Sequence, residues 1–232
     1  MLCKFILSTM GWDKLEYDGD LNKHEHVVCV FSHSSYYDFV IMVLYKYAYP
    51  DKLGNLRTLI KPDYFEDIKI HSYSFPSPLG MFLRKVGGIP ATNISIKNGG
   101  ATEHIIDVLR EKPCKFLISP KGTILRGEWR TGYYHIAKGL NAPIIAVGLD
   151  YERKNIYVGN VIDSNQEEPD IRKVLYKELG NIVPLHPEQE NMPIREYVSD
   201  DVSVISTKRL LFIGMTISIS MITCSYLCYK LL

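Results

Sequence analysis

The chain has 232 residues, enough for one domain with an appendage. Hydrophobic residues supply 46% and charged residues 23%, which excludes a disordered chain and a collagen-like repeat. Lys and Arg number 27 against 26 Asp and Glu, and this net charge of +1 is unlike that of a uniformly basic nucleic-acid binder. The five cysteines (Cys3, Cys29, Cys114, Cys224, Cys228) are scattered and contain no C-x-x-C pair. They exclude a zinc ribbon and argue for a reducing compartment over a disulfide-stapled secreted fold.

The N-terminal MLCKFILSTMGW is too short for a signal peptide. Leu2, Phe5, Ile6 and Met10 would form a small apolar face, suited either to a membrane surface or to ordinary helix packing. Residues 27–31 (VVCVF) predict a buried strand, and 36–47 show apolar residues at helical spacing. A second strand is expected at 57–61, a helix entered through prolines at 78–86, and an extended run at 88–91. Residues 101–110 are amphipathic and stop before Pro113. Strands are expected at 115–119, 143–149 and 155–158, with helices at 132–139, terminated by Gly139, and at 171–179. This alternation implies an α/β fold, a central mostly parallel or mixed sheet flanked by helices.

The composition changes abruptly at residues 210–229, LLFIGMTISISMITCSYLCY, which carry no charge. As a helix this run is about 30 Å long, the thickness of a hydrocarbon core. It is expected to be a C-terminal transmembrane helix, acting as a single-pass tail anchor. Lys208 and Arg209 before it, against Lys230 after it, favour a cytosolic domain. Asn93, within a glycosylation sequon, is the internal check, since a glycan there requires the lumenal side. The expected organisation is a domain at 1–188, a linker at 189–209 and the anchor at 210–229.

Three loops carry candidate chemistry. His33 follows the first predicted strand, and Asp38 falls in the first turn of the next helix. A carboxylate so placed can fix the imidazole tautomer and stabilise the imidazolium. Ser35 and Asp38 equally match a capping box, which explains Asp38 without His33. The second loop runs LRKVGGIP from Leu83 to Pro90, and Gly87 and Gly88 allow close backbone approach. The third is Ser119, Pro120, Lys121, Gly122, Thr123, followed by Arg126 and Arg130. A glycine-bearing loop with nearby cations can hold phosphate. It is not a G-x-x-x-x-G-K-[ST] loop, and no G-x-S-x-G elbow exists. His24, His26 and Cys29 offer a weaker, metal-binding alternative.

In order and spacing the three loops resemble the PlsC-like glycerolipid acyltransferase family, also called the lysophosphatidic acid acyltransferase family, and within it a compact bacterial-type branch. That family has an H-x4-D motif, a second motif ending in arginine, a P-E-G-T-R motif and a later proline-bearing strand. Here they correspond to residues 33–38, 87–93, 120–124 and the strand at Pro143. The likeness spans about residues 11–188, through SPLGMFLRKVGGIP and EWRTGYYHIAKGLNAPIIAVGLDY. Ser32 stands where the family often has Asn, Asn93 where the second motif has arginine, and Lys121 and Ile124 where P-E-G-T-R has glutamate and arginine.

The resemblance implies transfer of a fatty acyl group from acyl-CoA, or another thioester, to the hydroxyl of a glycerolipid such as lysophosphatidic acid. His33 would be the general base and Asp38 its orienting carboxylate. Lys121, Gly122, Thr123, Arg84, Arg126 and Arg130 are the expected substrate-binding residues. No metal and no bound cofactor are expected; acyl-CoA is the co-substrate and membrane lipid the partner. The altered second and third motifs leave a non-catalytic lipid-binding or scaffold protein as the alternative.

Overall fold

β-branched and aromatic runs build the sheet of this protein, seen in a computed structural model that describes residues 2–12, 14–16, 21–70, 73–91 and 100–194. The strands are β1 (Lys14–Glu16), β2 (His26–Phe31), β3 (Leu56–Ile60), β6 (Gly88–Pro90), β7 (Cys114–Ile118), β8 (Ile144–Asp150) and β9 (Asn155–Ile162). They form one seven-stranded sheet in the order β1-β9-β8-β2-β7-β3-β6. The five strands from β8 to β6 in that order run parallel. β9 is antiparallel to β8, and β1 follows β9. The expected mixed, mostly parallel sheet is therefore present. A separate hairpin, β4 (Ile68–Ile70) with β5 (Tyr73–Phe75), was not anticipated, because three-residue strands carry almost no periodic signal.

Alternation along β2 divides the core. Val28 and Val30 enter one cluster, with Phe116, Ile144 and Ala146 and with the helices α5 (Gly100–Arg110), α6 (Gly132–Leu140) and α7 (Glu168–Leu179). Val27, Cys29 and Phe31 enter the other, beneath α1 (Leu2–Thr9) and α2 (Tyr36–Ala48). Side chains two apart on a strand share a face, so one pentapeptide serves both layers. α1 packs as an ordinary helix, with Leu7 buried and Ile6 and Met10 against the core, while Leu2 and Phe5 face outward. The short α3 (Pro50–Leu53) and α4 (Pro78–Lys85) both start at a proline.

One glycine expectation changes and one holds. Gly139 does not end α6, which continues to Leu140 and is capped by Asn141 at φ 49°. Gly139 instead lets α6 lie on α5, since a Cβ there would collide with Ile106. Gly87 serves the backbone: at φ 98° a Cβ would collide with the Leu56 carbonyl.

The described chain falls in one compact unit, Met1–Glu196. The first residues of the 189–209 span are packed onto this unit, with Glu190 and Met192 both 4% exposed. Among the described residues no helix is long and apolar enough to cross a membrane. The expected anchor at 210–229 lies outside the described residues, as do Asn93 and its sequon.

Candidate active site

Parallel strands deliver their following loops to one edge of a sheet, where α/β proteins usually bind ligands. β2 ends at Phe31 and leads to His33; its neighbour β7 ends at Ile118 and leads to Ser119; β8, on the other side, ends at Asp150 and leads to Tyr151. Residues separated by more than a hundred positions thus reach one place.

α2 begins here. Ser35 is its N-cap, extended at φ −151° and ψ 150°, and its hydroxyl accepts from the Tyr37 amide. Asp38 Oδ2 accepts from the amides of Ser34 and Ser35, both at 3.0 Å, so the capping box is real. The same oxygen meets His33 Nδ1 at 2.9 Å. Capping and dyad are one arrangement, because the helix start holds the carboxylate that orients the imidazole. Asp38 is 2% exposed and His33 26%, so the imidazole is reachable while its partner is shielded. With Nδ1 donating to Asp38, Nε2 keeps the lone pair.

Asp38 has a further partner that sequence reasoning did not single out. The Tyr151 hydroxyl donates to Asp38 Oδ1 at 2.6 Å. Burial first, then the charge and hydrogen bond of Asp38, raise the Tyr151 pKa well above the ordinary phenol value. The hydroxyl therefore stays protonated and remains a donor. Trp12, 2% exposed, meets the Tyr151 ring edge-on at 4.9 Å and holds it in place. The only sequence signal was position, the first residue after a fully buried strand.

In the loop after β7, the Gly122 amide donates to the Ser119 carbonyl at 3.0 Å and closes a turn with Gly122 at φ 65°. That amide is engaged within the turn. A Cβ on Gly122 would meet nothing within 4 Å, so the turn is open on that side. The Thr123 hydroxyl accepts from the Leu125 amide at 3.2 Å. Arg126 and Arg130 are exposed.

Lys121 departs from expectation. Its side chain is 1% exposed, and its ammonium is bonded to Glu190 Oε1 at 3.1 Å and the Gln189 carbonyl at 2.9 Å. An ammonium committed to one buried carboxylate and one part-buried carbonyl is not a free phosphate ligand. Arg84 is also not joined to this cluster by any described contact. It lies in the last turn of α4, before the entry of β6, with its guanidinium 5.0 Å from the Phe65 ring.

Of the metal alternative's residues, His26 and Cys29 lie on opposite faces of β2. His26 Nδ1 lies 3.9 Å from Cys114 Sγ, in the cluster of Val28, whereas Cys29 is buried in the opposite cluster. Among the described residues no three His, Cys, Asp or Glu side chains converge.

A family model described as Acyltransferase matches residues 14–150, which contain His33, Asp38 and the loop after β7. No curated protein and no solved structure matches the chain.

Proposed function

The chain belongs to the PlsC-type acyltransferase family, the match covering more than half its length, and from that premise we propose that it transfers a fatty acyl group from acyl-CoA to the hydroxyl of a lysophospholipid or related glycerolipid. The observation that carries the reading is the His33–Asp38 contact of 2.9 Å, at an edge where the imidazole is reachable and the carboxylate is not.

In this reading the acceptor hydroxyl approaches His33 Nε2. As its oxygen attacks the thioester carbonyl, its proton passes to Nε2. Asp38 stabilises the imidazolium, and Tyr151 and the two serine amides keep Asp38 in register. The tetrahedral intermediate collapses, the carbon–sulfur bond breaks, and His33 returns the proton to the leaving thiolate. No enzyme nucleophile is needed. The acceptor head group would lie against the open Gly122–Thr123 turn, with Arg126 and Arg130 as the cations within the same loop. The charge-free run at 210–229 would hold the domain at the lipid surface from which both substrates come.

The test is labelled acyl-CoA with a panel of lysolipids, comparing wild type with His33→Ala. A general base contributes about 10² to 10⁴ in rate, so His33→Ala should fall by that factor. Transfer undiminished in His33→Ala removes the base. Absence of transfer from wild type to every acceptor favours the non-catalytic lipid-binding reading, for which the committed ammonium of Lys121 is the supporting observation.

A further inference from the structure

Residues 186–191 form a strap across the ends of β2 and β7. On the β2 side it grips both neighbours of His33. Ser32 Oγ donates to Glu190 Oε1 at 2.9 Å, and Ser34 Oγ accepts from the His186 amide at 3.3 Å. On the β7 side Lys121 Nζ donates to Glu190 Oε1 and to the Gln189 carbonyl. Gln189 Oε1 accepts from the Arg126 amide at 2.9 Å, and Asn191 Nδ2 donates to the Gly127 carbonyl. One carboxylate oxygen, Glu190 Oε1, thus joins the base loop to the turn opposite it.

Stability alone does not account for this arrangement. The Lys121 and Glu190 side chains are 1% and 0% exposed, and a buried ion pair rarely outperforms an apolar pair of similar volume. Among the described residues Glu190 Oε2 is buried with no hydrogen-bond partner, a further cost. What the pair achieves is location. Ser32 is anchored from one side and Lys121 from the other, so the spacing between His33 and the Gly122–Thr123 turn is set through Glu190.

We infer that Glu190 is a positioning residue for acyl transfer, holding the His33 loop at a fixed distance from the turn that receives the acceptor, with Lys121 holding Glu190. The inference rests on the reading of His33 as the base. It assigns Lys121 a role through Glu190 and not through substrate phosphate.

Three variants test it: Ser32→Ala, Lys121→Met with Glu190→Leu, and Glu190→Gln. The Gln variant is uncharged but its Oε1 can still accept from Ser32 and Lys121, whereas the Leu variant cannot. Ser32→Ala and the Leu variant should lower kcat by about 10- to 100-fold, the scale of a misplacement near 1 Å, with KM for acyl-CoA changed by less than about two-fold. The Gln variant should recover most of that loss. Equal kcat for the Leu and Gln variants, or full kcat in Ser32→Ala, overturns the inference. Should the Leu variant fail to fold, Ser32→Ala decides, since it leaves the ion pair intact. Should wild type transfer no acyl group, the function proposed above fails, and the strap is judged by hydrogen exchange at the Ser34 and Ser35 amides. Exchange in Ser32→Ala faster by about ten-fold or more supports the strap, and unchanged exchange overturns it.

Discussion

Tyr151→Phe isolates one hydrogen bond at the candidate site. The substitution keeps the ring that Trp12 meets at 4.9 Å, so packing is preserved. It removes the donor to Asp38 Oδ1, while His33, Ser34 and Ser35 all bond the other oxygen, Oδ2. Tyr151 is therefore the one donor described for Oδ1, on a carboxylate that is 2% exposed. A hydrogen bond to a charged group contributes about 1.5 to 3 kcal/mol, and a buried acceptor stripped of its donor loses the full amount. A loss of about 2 kcal/mol should lower the Tm of a domain this size by about 4–8 °C. Because Oδ1 fixes the plane of the carboxylate, kcat should fall by about ten-fold with KM nearly constant. Circular dichroism melts and the labelled acyl-transfer assay read the two effects. A Tyr151→Phe protein with the Tm and kcat of wild type would refute the claim that this bond orders the dyad.

Asp38→Asn should be far more severe, lowering kcat by about 10³ to 10⁴, because an amide cannot stabilise the imidazolium; steady-state kinetics at fixed pH will show it. Two glycines should respond differently in urea titrations. Gly87→Ala should cost about 3 kcal/mol or more, combining left-handed strain with a clash on the Leu56 carbonyl, whereas Gly122→Ala, with open space around it, should cost about 1–2 kcal/mol. Stability should also decline in alkali. Burial pushes the Cys29 thiol from 9.0 up to about 12, so the unfolded chain releases this proton first. The contribution is fully present below pH 9 and is lost as pH rises through 12, at about 1.4 kcal/mol per pH unit. Burial likewise raises Tyr133, Tyr151, Tyr157 and Tyr176, and these add to the slope once the unfolded phenols ionise. Unfolding midpoints measured from pH 9 to 11 should fall steadily, and less steeply in Cys29→Ala. A flat profile would contradict this ledger of protons.

Much of the architecture is legible in the sequence. The runs at 27–31 and 143–149 became β2 and β8, and the helical spacing at 36–47 became α2, because burial imposes a period that the sequence must carry. Helix ends were less secure. Gly139 reads as a terminator, yet its lack of a side chain serves the contact with Ile106, which belongs to another helix. β1, β4 and β5 have three residues each, too few for a pattern to register.

At the site, the sequence by itself determined the parts that are local. His33, Ser35 and Asp38 lie within six positions, and backbone geometry at a helix start brings them together whatever the rest of the chain does. The family resemblance implies which chemistry such a dyad would perform, and the matching family model shows the family. Tertiary structure alone decided the partners drawn from afar. Tyr151 reaches Asp38 across 113 positions, Glu190 reaches Ser32 across 158, and Lys121 turns inward to that same Glu190. Hydrogen bonds between side chains require proximity but impose no periodicity on the sequence. A buried cation and an exposed one are spelled with the same letter, and only the folded chain shows which carboxylate it has found.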